Sequence, residues 1–221
     1  MDTILYFFFG AAYIVLMAWG IRRQKNWSWM SVVFLVVIGL IYDNFIIAIG
    51  RFVGEGALLK GLSLPRFWSH ALLTPPLALF SWAVLHHAGV AWAKKKVVII
   101  GVLLYTAALI VIEIALETAQ LWLTSANEYG ALRYVSAEPA SGPPIMVLLV
   151  TLALIFASIV LWRKTSWKWM LIGAVVMTIG SAVPIPVESA AATNAFELFL
   201  LFTLVWTKVR VESRTLTKNS V

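Results

Sequence analysis

Ionisable side chains inside long apolar stretches are the residues of this chain best suited to act on a ligand. The stretches contain few such groups, and the four with acid, base or proton-relay chemistry are Asp43, His70, Glu113 and Glu197. An ionisable group at the centre of a bilayer costs about 2.5–3.5 kcal/mol on insertion scales, so it persists where it pairs, lines a wet cavity or has a function. We predict that Asp43 and Glu113 act as acid and base, that His70 relays a proton, and that Glu197 orients the substrate.

A second set of polar residues is predicted to contact the substrate: Asn44, Arg51, Arg66, Glu117 and Asn194. The segment between Tyr42 and His70 is the densest polar and glycine region of the chain, and Gly50 and Gly54 have the spacing of close helix contacts. We expect Arg51 to pair with Glu55 or with a lipid phosphate. The segment is therefore the first place to expect a lipid headgroup or an anionic substrate, and an ordinary helix-to-loop junction is the alternative.

The acidic residues of the fourth apolar stretch are spaced for one face of a helix. Glu113, Glu117 and Gln120 follow each other at intervals of four and three residues. Two carboxylates one turn apart repel each other when both are ionised, which suits acid–base catalysis, proton coupling or metal binding. The alternative for Glu117 is that it is solvated at the interface.

A metal site is the third use open to these side chains. Asp43, His70, Glu113 and Glu197 are ligand types that zinc accepts. They come from four different apolar stretches and no spacing motif joins them, so we predict no metal, and the sequence identifies no cofactor. The chain has no cysteine, which excludes disulfides and thiolate nucleophiles.

Seven apolar stretches position these residues, and each is long enough to cross a bilayer. The 221 residues are 62% hydrophobic and 12% charged, against about 25% charged in soluble domains. Because these stretches are apolar on every face and a bilayer core needs about 20 apolar residues per helix, helices are favoured over a barrel. We predict an all-α bundle of seven transmembrane helices, near residues 4–22, 29–50, 67–92, 97–119, 145–163, 168–187 and 190–207.

The bundle is predicted to form a single transmembrane domain, residues 1–207, followed by a polar, frayed cytoplasmic tail, residues 208–221. Thirteen of the 17 lysines and arginines fall on one side of the predicted bilayer, so the positive-inside rule places the N-terminus outside the cell. The net charge of +7 is then a topology signal. We expect membrane lipids as partners and no nucleic acid.

The connections and a weak repeat complete the predicted architecture. The outer connections 51–66 and 120–144 are too polar to span a membrane, and each has room for a short interfacial helix. Trp27-Ser28-Trp29-Met30 and Trp167-Lys168-Trp169-Met170 open the second and sixth stretches. They suggest two parallel three-helix repeats around a central inverting helix, an arrangement found in transporters. Alternatively, inner helix starts simply favour Trp and Lys.

The depth of the polar residues indicates where a site lies. Four stretches bring polar groups to a similar depth in the outer half of the bundle, whereas the inner half is almost entirely apolar. This pattern predicts an outward-facing pocket in a multi-pass protein of a cell membrane. Acid–base chemistry on a small apolar or lipid-like ligand, such as a lipid or isoprenoid, is the favoured function. A proton-coupled transporter and a structural membrane protein are the alternatives, and the apolar inner half counts against the transporter.

Overall fold

The structure is a computed structural model that describes residues 1–137, 145–182, 189 and 191–219. Most of this part of the chain is helical, and its α-helices are α1 (Asp2–Arg23), α2 (Val33–Val53), α3 (Ala57–Leu73), α4 (Pro76–His87), α5 (Lys96–Glu113), α6 (Ile145–Thr165), α7 (Trp169–Ala182) and α8 (Ala191–Asn219). A 3₁₀ turn, Trp29–Val32, precedes α2, and a π-helical turn, Ile114–Thr118, extends α5. Strands β1 (Leu123–Glu128) and β2 (Ala131–Ser136) form an antiparallel hairpin.

Several of these helices have the length and composition of membrane spans. Within the described residues, five are long and apolar enough to cross a bilayer: Asp2–Arg23, Trp29–Val53, Lys96–Thr118, Ile145–Thr165 and Ala191–Arg214. Trp169–Ser181 is a shorter apolar helix. The chain therefore has the architecture of a multi-pass membrane protein, while the count of seven spans, the orientation and the repeat remain predictions.

The third predicted span, 67–92, is two helices instead of one. The break falls at Thr74 and Pro75, because successive prolines cannot continue the hydrogen-bond ladder of α3. Pro76 then occupies the first turn of α4, where its missing N–H is tolerated. α3 itself takes up most of the connection predicted at 51–66, so that segment is largely helical.

The short helix α4 occupies the centre of the bundle. Every residue from Leu77 to Leu85 is buried, and α4 packs against α5, α6, α8 and the Trp29–Val32 turn. Around it, α1 contacts α2 and α8, and α7 contacts α6 and α8. We call the end of the bundle that carries β1 and β2 the hairpin side, and the end that carries Arg23, Lys94 and Lys164 the basic side. α4 fills the basic-side half with apolar side chains.

The β-hairpin is the main departure from the all-α prediction. The connection 120–144 was expected to hold a short interfacial helix, and its described part is instead a ladder from Leu123 paired with Ser136 to Glu128 paired with Ala131. Tyr129 and Gly130 form the turn with φ of 50° and 83°, the left-handed conformations that two-residue hairpins require. The Thr3 hydroxyl donates to the Gly130 carbonyl at 2.6 Å, so the turn is tied to the start of α1.

The predicted tail also differs from expectation, because α8 continues through its first residues. Lys208 is fully buried and forms an ion pair with Glu212. Glu212 also accepts a hydrogen bond of 3.0 Å from the Lys25 backbone N–H, and the Lys208 ammonium lies 3.4 Å from the Asn26 carbonyl oxygen. This pair joins α8 to the connection between α1 and α2 on the basic side.

Gly50 is packed against the hairpin as well as against Leu59 of the neighbouring helix α3. A Cβ at Gly50 would overlap the Leu132 carbonyl oxygen, so Gly50→Ala must displace β2 or bend α2. Because overpacking typically costs about 1–3 kcal/mol, we expect a lower melting temperature in lipid nanodiscs. Gly61→Ala is the control, since its Cβ would enter open space in α3. Equal melting temperatures for the two variants would refute this close contact.

Candidate functional site

A cavity of about 610 Å³ lies in the hairpin-side half of the bundle, beyond the start of α4. Its volume falls in the range of about 300–1,000 Å³ typical of small-molecule sites. Side chains from α1, α2, α3, α4, α6, α7, α8 and β2, and from the end of α5, line it. Much of the wall is aliphatic, with contributions from Val36, Leu40, Ile47, Leu77, Val150 and Leu154. The cavity can therefore enclose an apolar body.

Seven of the nine predicted site residues line this cavity: Asp43, Arg66, His70, Glu113, Glu117, Asn194 and Glu197. They come from α2, α3, α8 and the α5 segment with its π turn. Polar groups from separate helices thus meet in one space. The chemical role of each residue remains a prediction.

Asn44 and Arg51 lie outside the cavity. Asn44 follows Asp43 directly, and adjacent helical residues point about 100° apart, which turns Asn44 into the protein. It is fully buried, and its amide donates to the Leu40 carbonyl at 2.8 Å. Arg51 is exposed, with its guanidinium 5.8 Å from the centre of the Phe52 ring. Glu55, its predicted partner, accepts a 2.7 Å hydrogen bond from the Ser125 hydroxyl.

Asp43 and Arg66 form an ion pair at the cavity wall. Arg66 Nε donates to Asp43 Oδ1 at 2.7 Å, and Arg66 Nη1 donates to the Tyr134 carbonyl at 3.2 Å. The Arg66 side chain is 9% exposed and that of Asp43 24% exposed. The contact joins α2, α3 and β2, and it neutralises both charges. Asp43 was predicted to be catalytic and Arg66 to bind substrate, and in this structure each is the charged partner of the other.

Asp43→Asn should therefore destabilise the protein. The substitution keeps the shape of the side chain but removes the counter-charge of a largely buried guanidinium. We expect a loss of about 1.5–3 kcal/mol in the free energy of unfolding, the usual contribution of hydrogen bonds to charged groups. Glu128→Gln is the control, because Glu128 is 51% exposed in its pair with Arg133 and such pairs contribute about 0–1 kcal/mol. Equal losses would show that Asp43 does not anchor Arg66.

His70 and Glu113 face each other across the cavity, from α3 and α5. His70 Nε2 lies 4.0 Å from Glu113 Oε1, which is beyond hydrogen-bonding distance. His70 Nδ1 lies 3.3 Å from the Thr74 hydroxyl, which fixes the ring from its other side. The His70 side chain is 46% exposed and that of Glu113 only 7%. A ligand group or a water molecule can bridge the gap.

The π-helical turn changes which residues accompany Glu113. Such turns insert an extra residue into an α-helix and are frequent at functional sites. Here Glu117 and Thr118, within the turn, line the cavity together with Glu113. Gln120, predicted on the same face, is exposed beyond the end of the turn. Glu113 and Glu117 therefore face the same space, as their spacing predicted, whereas Gln120 does not.

α8 contributes Asn194 and Glu197, which lie one helical turn apart. Glu197 has no hydrogen bond or ion pair with any described residue. Asn194 is 9% exposed, and its amide oxygen has no partner within the described chain. Both side chains line the cavity, so α8 presents polar groups that protein atoms leave unsatisfied.

Three further residues near the site were not predicted from the sequence. Tyr6 and Arg133 line the cavity, and Arg133 donates to Glu128 at 2.9 Å. Tyr13 is fully buried, and its hydroxyl has no partner among the described residues. Tyr6 and Tyr13 are seven residues apart, so they share a face of α1, a signal that the sequence does contain. Arg133 had no such signal, because it lies in the hairpin.

The arrangement is suited to proton transfer next to an apolar ligand. In the part of the chain that the structure describes, no three histidine, aspartate or glutamate side chains are grouped so as to hold a metal ion. No protein-family model, no curated protein and no solved structure matches this chain.

Proposed function

We propose that this chain is an intramembrane enzyme that acts on a lipid or isoprenoid-like substrate by acid–base chemistry. The observation that carries the proposal is the cavity of about 610 Å³, in which an aliphatic wall adjoins carboxylates and an imidazole from separate helices. An apolar substrate body would occupy the aliphatic part. Its reacting group would lie among His70, Glu113 and Glu197.

Glu113 and His70 are the proposed proton-transfer couple. A general acid or base must come within hydrogen-bonding reach of the proton that it moves, and both side chains face the same space with 4.0 Å between Nε2 and Oε1. A substrate group that lies beside both atoms would contact both. Glu197, which has no protein partner among the described residues, would orient that group, and Asp43 would act indirectly by holding Arg66.

Access is proposed from the outer leaflet. The positive-inside rule places the basic side in the cytoplasm and the hairpin side outside the cell. The cavity adjoins the hairpin side, with Arg133 and Ser136 of β2 in its wall. A membrane lipid or another small apolar molecule would then enter from the outer half of the bilayer.

A transporter is the alternative, and the break between α3 and α4 is the feature in its favour. A carrier needs a route to the other side, however, and the residues Leu77–Leu85 of α4 are all buried below the cavity. Counterflow of a labelled ligand in proteoliposomes separates the two functions. Exchange of ligand across the membrane would favour the carrier, whereas conversion without exchange would favour the enzyme.

A lipid profile tests the proposal without knowledge of the substrate. The wild-type chain, Glu113→Gln and Glu55→Gln would be expressed at equal folded levels in one host, and total lipids compared by mass spectrometry. Glu55 is an exposed carboxylate outside the cavity, so Glu55→Gln is the matched control. We expect at least one lipid or isoprenoid to be converted by the wild type and by Glu55→Gln but not by Glu113→Gln. Identical profiles for all three would contradict the enzyme.

A further inference from the structure

The cavity has more acidic side chains than basic side chains that are free to neutralise them. Its ionisable lining residues are Asp43, Arg66, His70, Glu113, Glu117, Arg133 and Glu197. Arg66 is paired with Asp43 at 2.7 Å, and Arg133 donates to Glu128, outside the cavity, at 2.9 Å. Both arginines are thus engaged. Three glutamates remain, and His70 is the one basic group among the lining residues left to face them.

These three glutamates have unused capacity to accept hydrogen bonds. The Glu113 side chain is 7% exposed, and its nearest basic atom, Nε2 of His70, is 4.0 Å away. Glu117 and Glu197 have neither a hydrogen bond nor an ion pair with another residue that the structure describes. An apolar, largely enclosed site is a poor place for uncompensated carboxylates, so a ligand that supplies donors and positive charge would complete it.

Asn194 points to a ligand independently of the acidic residues. It lines the cavity and is 9% exposed, yet its amide oxygen finds no donor within the described chain. Buried polar groups in native proteins nearly always have a partner. Because Asn194 lies one turn from Glu197 on α8, one donor-rich group at this end of the cavity could serve both side chains.

We infer that the ligand of this cavity has a protonated amine as its polar end, attached to an apolar body. This inference rests on the proposed function, because it names the substrate class of the same cavity. An ammonium group offers three donors and no acceptor, and its charge opposes that of the glutamates. A phosphate or carboxylate would instead add negative charge beside them, with both arginines already engaged. This inference differs from the expectation of a lipid headgroup or an anionic substrate in the segment between Tyr42 and His70.

Three probes that share a twelve-carbon alkyl chain and differ in their polar group test the inference: dodecylamine, dodecanol and dodecyl phosphate. Each would be titrated, below its micellar concentration, into the full chain in phosphatidylcholine nanodiscs by isothermal calorimetry, with empty nanodiscs as the blank. We expect dodecylamine to bind about tenfold or more tightly than the other two. Glu197→Gln and Glu113→Gln should each weaken amine binding about tenfold and leave dodecanol binding unchanged. Glu55→Gln should change neither.

The outcomes separate this inference from the proposed function. Equal binding of dodecanol and dodecylamine would overturn the inference in favour of a neutral hydroxyl ligand, and tighter binding of dodecyl phosphate would overturn it in favour of an anionic one. Selective amine binding without any change in the lipid profile would support an amine ligand and contradict the proposed enzymatic function. Conversion of an anionic lipid would support the proposed enzymatic function and contradict the inference of an amine ligand.

Discussion

Glu113→Gln is expected to lower the turnover of the converted lipid by about 10²–10⁴-fold, the usual contribution of a general acid or base. Glutamine keeps the size of the side chain and can still form hydrogen bonds, but it cannot exchange a proton. The Glu113 side chain is only 7% exposed, so bulk water is poorly placed to replace it. The measurement is the initial rate with the lipid that the profile identifies, using purified protein in nanodiscs.

The controls for this experiment distinguish chemistry from folding. Glu113→Gln should retain the melting temperature of the wild type, and Glu55→Gln should retain its rate. If the carboxylates of a structural protein only orient its helices, Glu113→Gln should have almost no effect on function or stability, because interhelical hydrogen bonds in membranes average about 0.6 kcal/mol. A wild-type rate in Glu113→Gln would therefore remove the proposed role of this residue.

Lys208→Met is expected to reduce the free energy of unfolding by about 3–5 kcal/mol, the cost of removing one partner of a buried ion pair. Lys208 is fully buried and Glu212 is 6% exposed, so the substitution leaves a carboxylate without its counter-charge inside the protein. The free energy of unfolding would be measured in nanodiscs by denaturant titration, followed by tryptophan fluorescence. Lys164→Met, at an exposed position on the basic side, is the control and should have little effect.

The double variant Lys208→Met/Glu212→Leu tests the physical reason. Replacing both partners of a buried ion pair by apolar residues is often neutral or stabilising, so the double variant should recover most of the loss. It should fall slightly short of the wild type, because the Lys25 N–H loses its acceptor. A double variant as unstable as Lys208→Met would show that packing of the lysine stem, and not its charge, is what α8 requires.

The apolar stretches predicted most of the helices because burial in a bilayer leaves a strong compositional signal. The predicted spans 4–22, 97–119 and 145–163 correspond to Asp2–Arg23, Lys96–Thr118 and Ile145–Thr165. The split of 67–92 is less visible in the sequence. Hydropathy cannot show that α4 would lie in the centre while α3 extends back through the connection before it.

The hairpin and the continuation of α8 were missed because their causes are tertiary. β1 and β2 are only six residues each, and the hairpin is held by contacts with Thr3 and Gly50 that only the folded chain brings together. Lys208 was interpreted as part of a basic tail because its charge favours water. Its burial depends on Glu212 and on the connection after α1, and the sequence shows neither arrangement.

The candidate site was predicted in outline, because depth in the membrane can be read from position along a span. Their positions along the spans predicted a similar depth for Glu113 and Glu197, and both line the cavity. Depth could not give the rotation of each helix, so Asn44 was included although it points into the protein. It also could not reveal that Arg66 pairs with Asp43, since this contact depends on how α3 folds back against α2.

Chemical modification of a single cysteine tests most directly whether an acidic, water-accessible cavity opens to the exterior. The chain has no cysteine of its own, and Ser69, which lines the cavity, can be replaced by a residue of nearly the same size. The controls are Leu152→Cys and Lys164→Cys. Leu152 is 61% exposed towards the predicted lipid, and Lys164 lies on the basic side.

The measured quantity is the rate at which membrane-impermeant thiol reagents, one positively and one negatively charged, modify Ser69→Cys in intact cells. We predict modification from outside, faster with the positive reagent because of the excess glutamates, while Leu152→Cys and Lys164→Cys stay unmodified. The opposite result is that Ser69→Cys, like Lys164→Cys, is modified only after the cells are permeabilised. That result would contradict the outward-facing cavity on which the proposed function depends.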